Sequence, residues 1–448
     1  MFTYIKLKNF LSFQEVVFDL KKSSKNTKSF TAIYGENGSG KSNLIRSIRF
    51  LCQSMISLKL KVENDKISIP TKQMGIESMK SMFQRIMELG SLSQSFVEYR
   101  MVECDEPTEA EYGFIHEGIE GFYKIVFTDR IIEESLYWLR GKQRGLLFRL
   151  TAGEEGAIST EFYSSLFLQR KTEKDIMDEI EKYWGIHSFM SILWNYIDEK
   201  NSKFITDNIS ESILSLISYF RCITVVTKEP QNHRGLMSQY PGGILKRLDS
   251  GTVPAKDRQI LEKTERIVRS FIVQAYADIK DAYYKTESMS EDYLYYQLYV
   301  VKMIGGKPRE ISFENESAGT QKVLEVIEAL IGVFFGVVVA YDEIDNGVHD
   351  LLLQHILGSL EDEITGQLII TTHNTMLMQS MSPHNVYVIQ VDYMGNKEIH
   401  CLGEYSIQKN HNMQNVYLKG LVGGTPYLDF IDYDFLRDEL DTEGGTCL

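Results

Sequence analysis

Cysteine is scarce in this chain, and the scarcity excludes two ways of building a fold. Its 448 residues include only Cys52, Cys104, Cys222, Cys401 and Cys447, far apart and with no CxxC pair. Neither a disulfide framework nor a zinc knuckle fits that spacing, and a reducing compartment is expected. A chain of this length can bury a large apolar core without such staples and divides naturally into two lobes. Long apolar runs are also missing: none approaches the roughly 18 residues that span a bilayer. The longest, over residues 329–341, is interrupted by Gly332 and Gly336 and ends at Asp342 and Glu343, the pattern of a buried helix feeding a buried strand. The opening MFTYIKLKNF alternates polar and apolar residues and lacks the layout of a secretory signal. A cytoplasmic protein that does not enter a membrane is expected. Basic surplus is absent too, with 62 acidic against 48 basic residues and a net charge of -14, so a nucleic-acid backbone would repel the chain as a whole. Nucleic-acid contact would need a local basic patch. Lys21, Lys22, Lys25 and Lys28, and Lys59, Lys61 and Lys66, are the candidates, and both groups read first as solvated surface lysines.

What is present is a series of strands and helices with an insertion. Residues 3–7 and 14–18 read as short strands around NFLSF, and SFTAIYG reads as a buried strand ending on glycine. Residues 41–60 place Leu44, Ile48, Leu51 and Met55 at helical spacing. Five segments between residues 95 and 150 (SFVEYRMVE, AEYGFIHEG, GFYKIVFTD, EESLYWLR and GLLFRLT) predict an antiparallel sheet. Apolar positions three and four apart over about 172–220 and 256–285 predict amphipathic helices. Residues 231–254 are rich in chain breakers and predict a mobile loop, and YLYYQLYVVKMI predicts a pair of strands. Helix then strand is expected over 318–341, a buried strand in LIITTHNT, and a hairpin in NVYVIQVDYMGNKEIHCL. The expected division is 1–170 for the N-terminal half of a head, 171–310 for a helical lobe and 311–448 for the C-terminal half, an α/β core with a central insertion.

Four motifs carry chemistry. GENGSGKS, residues 35–42, matches GxxxxGK[ST] between a predicted strand and a predicted helix. Its glycines let Asn37, Gly38, Ser39 and Gly40 turn backbone N–H groups toward phosphates. Lys41 would contact the β and γ phosphates, and the Ser42 hydroxyl would take Mg²⁺. VVVAYDEID delivers Asp342 and Glu343 to the carboxyl end of a strand, where ligands bind in open α/β sheets. Asp342 suits a Mg²⁺ ligand and Glu343 a general base for the attacking water. ESAGTQ, residues 316–321, precedes a helix, so Ser317 is at least a helix cap and also part of an anion site. His373 follows the strand LIITT, in reach of a γ-phosphate.

Together these motifs resemble the ABC-type ATPase heads of the SMC, Rad50 and RecF group. More narrowly, they are similar to stand-alone prokaryotic AAA ATPases whose signature is ESxGT. The likeness covers nearly the whole chain: NFLSF, GENGSGKSN, ESAGTQK, DEIDNGVH, QLIITTHNT and the closing NVYLKGLVGGTPYL. It implies an ABC-type head (P-loop NTPase) with an antiparallel β-subdomain and an inserted helical lobe, binding ATP and Mg²⁺. The loop 37–43, Asn43 included, would cradle the nucleotide. Two copies would sandwich ATP head to tail, with Ser317 and Gly319 of one facing the phosphates on the other's Lys41. The resemblance places a Q-loop glutamine, which links Mg²⁺ to the helical lobe, at Gln169 or at Gln94. His349 stands where transporter heads carry an aspartate, and no sustained heptad pattern supports a long coiled-coil arm.

Nothing in the sequence supplies a second chemistry, such as a nuclease domain or a further carboxylate cluster. The group's members in abortive-infection, Septu, retron-associated and PARIS-type systems imply an ATP-dependent sensor or scaffold of bacterial anti-phage defence, acting on a separately encoded nuclease or toxin. The alternative is a DNA repair or recombination ATPase holding DNA in its dimer groove, which the acidic balance disfavours.

Overall fold

Four strands, at residues 30–35, 224–226, 338–341 and 367–371, are buried at every position, as happens when both faces of a sheet are covered. The computed structural model describes residues 1–23, 26–66, 95–140, 143–227, 239–240, 243–245, 247–290, 292–358, 360–405, 412–425 and 433–442. The hairpin β1 (Phe2–Phe10) and β2 (Phe13–Asp19) leads to β3 (Phe30–Gly35) and the long helix α1 (Lys41–Lys66). A meander follows: β4 (Thr108–His116), β5 (Ile119–Phe127), β6 (Ile131–Arg140), β7 (Gln143–Ala152) and β8 (Ile158–Phe162). These strands join the first hairpin in a seven-stranded antiparallel sheet, ordered β2-β1-β4-β5-β6-β7-β8.

Helices α2 (Arg170–Tyr183), α3 (Phe189–Asp198), α4 (Ser202–Asn208) and α5 (Glu211–Cys222) form the helical insertion, and β9 (Thr224–Val226) returns the chain to the centre. A short ribbon of β10 (Gln239–Tyr240) and β11 (Ile244–Leu245) precedes β12 (Ser250–Pro254), α6 (Arg258–Ala275), β13 (Ile279–Ser288), β14 (Tyr293–Ile304) and β15 (Lys307–Ser312). Then come α7 (Ala318–Phe334), β16 (Val338–Tyr341), α8 (Asp350–Leu357), β17 (Gln367–Thr371), β18 (Val386–Val391), β19 (Lys397–Cys401), α9 (Met413–Leu418) and α10 (Tyr433–Thr442).

The central sheet runs β19-β18-β3-β17-β16-β9 and is parallel except for β19. Successive residues of its strands enter opposite cores. Ile33, Val338, Ala340, Ile369 and Ile389 pack with α1, the seven-stranded sheet and the helical insertion. Ala32, Tyr34, Val339, Tyr341, Leu368, Ile370 and Val388 pack on the other side with α6, α7 and the β12–β15 layer. Because β3, β17 and β16 are parallel neighbours, everything at their carboxyl ends meets along one edge, which is where open α/β sheets bind ligands.

Two polar side chains tie the layers together. Gln367, fully buried, accepts from Phe2 N at 2.7 Å and donates to Phe2 O and Lys28 O, each at 3.0 Å, joining β1 to the central sheet. Glu134 on β6, also fully buried, accepts from Phe189 N (2.6 Å), Met190 N (3.2 Å), Tyr123 Oη (2.8 Å) and Trp184 Nε1 (3.0 Å). It thus sits on the N-terminus of α3, where N–H groups without partners inside the helix and the helix dipole favour an acceptor.

The structure departs from the sequence expectations in several places. Residues 95–103 hold a single helical turn (Ser95–Glu98) where a strand was expected. Tyr99 is buried against Phe10 and Phe50, and Leu11 N and Met101 N close this segment across the β1–β2 turn, so ring packing overrides β propensity. Residues 279–285, expected in a helix, begin β13, because Ala282 and Tyr284 alternate into the core and, after a register shift at Ile279, the segment pairs with β14. YLYYQLYVVKMI is one strand rather than two, since β12 pairs with its first half and β15 with its second. Of residues 171–310, expected as one helical lobe, the stretch to Cys222 is helical and α6 forms the helix expected after residue 256, but β9 lies in the central sheet and β12–β15 form an antiparallel layer. Of the loop expected over 231–254, residues 231–238, 241–242 and 246 lie outside the described residues, and the described part holds β10, β11 and β12, paired strands where a loop was expected.

Burial raises the Glu134 carboxyl above the usual carboxylate range, and its four donors oppose the shift without cancelling it. A carboxyl raised in the folded state contributes stability that is full below its unfolded pKa and is lost as pH rises through its folded pKa. The stability of the wild type minus that of Glu134→Gln, from urea unfolding, is therefore expected to fall as pH rises from about 4 toward neutrality. A pH-independent difference would contradict this assignment.

Candidate functional site

The loop between β3 and α1 is shaped by its glycines. Gly38 has φ +82° and Gly40 φ +107°, conformations that side chains rarely adopt. A β-carbon on Gly40 would lie 2.9 Å from Phe13 Cζ, so close packing against the β1–β2 turn also requires glycine there, while one on Gly38 would meet nothing within 4 Å. Lys41 is buried at 5% exposure, and its Nζ donates to Gly35 O (2.8 Å) and Glu36 O (2.9 Å). Burial lowers its pKa, against the pull of Glu343, Asp342, Asp345 and Glu36, which favours a further anion beside it.

On a neighbouring strand, Asp342 directly follows β16, with its N–H donated to Val226 O at 2.8 Å. Its Oδ1 accepts from Ser42 Oγ at 3.2 Å and from Thr371 Oγ1 at 2.6 Å. The same Thr371 hydroxyl accepts from Glu343 N at 2.7 Å, and Thr371 O accepts from Ile344 N at 3.1 Å. These bonds hold Glu343 at φ +48°, a left-handed conformation that costs on the order of 1 kcal/mol for a residue with a β-carbon. Asp345 Oδ2 accepts from His373 N at 3.1 Å, so the loops after β16 and β17 are joined a second time. The His373 side chain is exposed two residues beyond β17.

The remaining predicted residues lie around this centre. Ser317 caps α7, accepting from Thr320 N, and is exposed. Gly319 lies against the loop after Glu343, where a β-carbon would come 2.8 Å from Gly347 O. Asn43 Nδ2 donates to Ser12 Oγ at 2.7 Å, fixing α1 to the β1–β2 turn. His349 caps α8 by accepting from Leu351 N at Nδ1. Gln169 starts α2 with an extended backbone and an exposed side chain, and among the described residues no hydrogen bond links it to the loop or to Asp342. Gln94 lies outside the described residues.

The structure adds Thr371, Asp345 and Lys397 to this set. Lys397 on β19 donates to Gly38 O at 2.8 Å. Thr371 looks in sequence like any buried β-branched strand residue. Its one signal is its place, two residues before the histidine in ITTH.

The donor set suits a magnesium nucleotide. The Ser42 hydroxyl and the Asp342 carboxylate are a hard oxygen pair of the kind Mg²⁺ takes with substrate phosphates. Ser39 Oγ is fully buried without a hydrogen-bond partner beside Gly35, and Gly38 leaves open space. A strand, a glycine loop opening a helix, and an acid pair on a neighbouring parallel strand define a P-loop ATPase of the ABC/SMC-head class. The family described as "AAA domain, putative AbiEii toxin, Type IV TA system" matches residues 141–379, more than half of the chain, and the chain belongs to that family. A second family, described as an AAA domain, matches residues 4–223.

No curated protein matches the chain. Among solved structures, an SMC head bound to the C-winged helix domain of ScpA is similar at 14% identity, with 89% of this chain and 96% of that one covered and a TM-score of 0.41. The SMC head domain from Thermotoga maritima is similar at 12% identity, covering 89% and 98% with a TM-score of 0.37. An SMC head with an extended coiled coil from Pyrococcus furiosus, bound to the C-terminal domain of ScpA, is similar at 14% identity, covering 89% and 95% with a TM-score of 0.39. No described helix is long and apolar enough to cross a membrane.

Thr371→Val removes both hydroxyl bonds at nearly constant shape. ATP turnover is expected to fall by about 10- to 100-fold, as for loss of a group that orients a metal ligand, with Thr371→Ser recovering most of it. Unchanged turnover in a folded Thr371→Val, checked by thermal melting, would remove Thr371 from the site.

Proposed function

We propose that this protein hydrolyses ATP with Mg²⁺, dimerises around the nucleotide, and serves as the sensor or scaffold that controls a separately encoded nuclease or toxin in anti-phage defence. The observation that carries the ATPase part is the convergence of Ser42, Asp342, Thr371 and Glu343 beside Lys41. Ser42 and Asp342 would hold Mg²⁺, which when bound neutralises charge on the terminal phosphates. Lys41 and the backbone of residues 37–43 bind and orient those phosphates. Glu343 takes a proton from the attacking water, and His373 donates to the γ-phosphate side of the site.

Support for a shared site comes from the signature. Ser317 is exposed at the start of α7, and among the described residues no hydrogen bond joins residues 316–321 to residues 35–42 of the same chain. The N-terminus of α7 and its serine suit the phosphates of a second copy. The defence role is supported by the family description, which names an AbiEii toxin and a type IV TA system.

Blocking the base separates binding from turnover. Glu343→Gln is expected to lose at least about 100-fold in ATP turnover and to gain a dimeric mass with Mg-ATP that it lacks without nucleotide, as read by light scattering. A monomeric Glu343→Gln with wild-type turnover would reject both the base and the shared site. The effector is tested by co-expression with neighbouring gene products, and failure to obtain any complex in either nucleotide state would count against the defence role.

A further inference from the structure

The closing motif NVYLKGLVGGTPYL has no part in the chemistry above, yet its described portion lies against the phosphate loop. Gly420, Gly423 and Gly424 have φ of +71°, +67° and +69°, so the chain coils back in a tight left-handed turn after α9. A β-carbon on Gly424 would collide with Val388 Cγ1, lie 3.1 Å from Ile389 O and come within 3.5 Å of Gly35 Cα. A β-carbon on Gly35 would meet the same Ile389 O, also at 3.1 Å. The first glycine of the phosphate loop, the end of β18 and Gly424 are therefore in backbone contact, and only glycines fit.

Polar bonds lock this contact from both sides. Tyr417 is buried, donates its hydroxyl to Gly424 O at 2.9 Å and also reaches the backbone of Gly35. Its ring lies 5.7 Å from that of Tyr34 on β3. Gln390 Nε2 donates to Val422 O at 2.8 Å and to Tyr405 Oη at 2.9 Å. At the other end of α9, Gln414 Nε2 donates to Thr375 Oγ1 at 2.9 Å, in the segment that follows His373.

We infer that α9 and the turn at residues 420–424 form a clamp that presets the phosphate loop for ATP, with Tyr417 and Gly424 as its positioning residues. The clamp meets the loop at Gly35, while Thr371 ends β17 and Asp342 and Glu343 follow β16, on the other side of β3. Loss of the clamp therefore weakens ATP binding and leaves the chemical step nearly intact, the signature of lost uniform binding. This inference rests on residues 35–42 being the ATP site.

The test uses a fluorescent ATP analogue with Mg²⁺ for equilibrium binding, ATP turnover for KM and kcat, and thermal melting, on the full chain. Gly424→Ala is expected to raise Kd and KM by about tenfold or more, and Tyr417→Phe to raise them by a smaller factor, with kcat within about twofold of wild type. Lys41→Ala serves as the control for the site. If Lys41→Ala binds like wild type, residues 35–42 are not the ATP site, and the clamp falls with that premise. If Lys41→Ala loses binding while Tyr417→Phe and a folded Gly424→Ala keep wild-type Kd, the clamp is refuted and the ATP site stands. If Gly424→Ala fails to melt cooperatively, Tyr417→Phe decides alone. A kcat that falls as much as KM rises would also overturn the inference.

Discussion

One carboxylate oxygen, Asp342 Oδ1, accepts from two hydroxyls that reach it along different paths: Ser42 from the glycine loop and Thr371 from the end of β17. It is the point at which three neighbouring parallel strands, β3, β17 and β16, deliver their carboxyl ends to one another. In a buried setting such bonds are worth more than at the surface, and breaking one leaves a desolvated partner unsatisfied. The left-handed backbone of Glu343 follows from the same node, because Thr371 accepts the Glu343 N–H with the hydroxyl that also serves Asp342. The proposed metal ligand and the proposed base are thus set by one threonine.

Around this node the protein is built in shells that differ in how rigidly they are tied to it. The central sheet is held by two apolar cores and by the Gln367 amide, which links it to the first strand. The helical insertion is tied by the buried carboxylate of Glu134, placed on a helix N-terminus where four donors converge. The signature segment is attached more loosely to the catalytic edge. Gly319 touches the loop after Glu343, while the Ser317 hydroxyl bonds only within its own helix. That arrangement suits a surface completed by another molecule.

The glycine loop after β3 and the acid pair after β16 were legible in sequence because their spacing is local. Glycines at fixed spacing, a lysine, and carboxylates after an apolar run announce themselves without tertiary information. The buried strands at SFTAIYG and LIITTHNT were legible for the same reason, since strands covered on both faces carry no alternation, whereas their parallel pairing was not read. Contacts between distant segments were not legible. Thr371 is one more β-branched residue in a strand, and only the register of β17 against β16 places its hydroxyl between Asp342 and Glu343. Lys397 reaches Gly38 across the sheet from a hairpin edge. Tyr99 and the tyrosines of β13 show side-chain packing and strand pairing overriding local pattern, and Gln169 was placed by resemblance alone, without a contact to support it.

If the Asp342 node is what organises the site, Mg²⁺ should strengthen ATP binding through this carboxylate. The direct measurement is calorimetric ATP affinity with and without Mg²⁺ in the wild type and in Asp342→Asn, each checked for folding. The account predicts a clear gain from Mg²⁺ in the wild type that disappears in Asp342→Asn. A folded Asp342→Asn that keeps the whole Mg²⁺ dependence would contradict it.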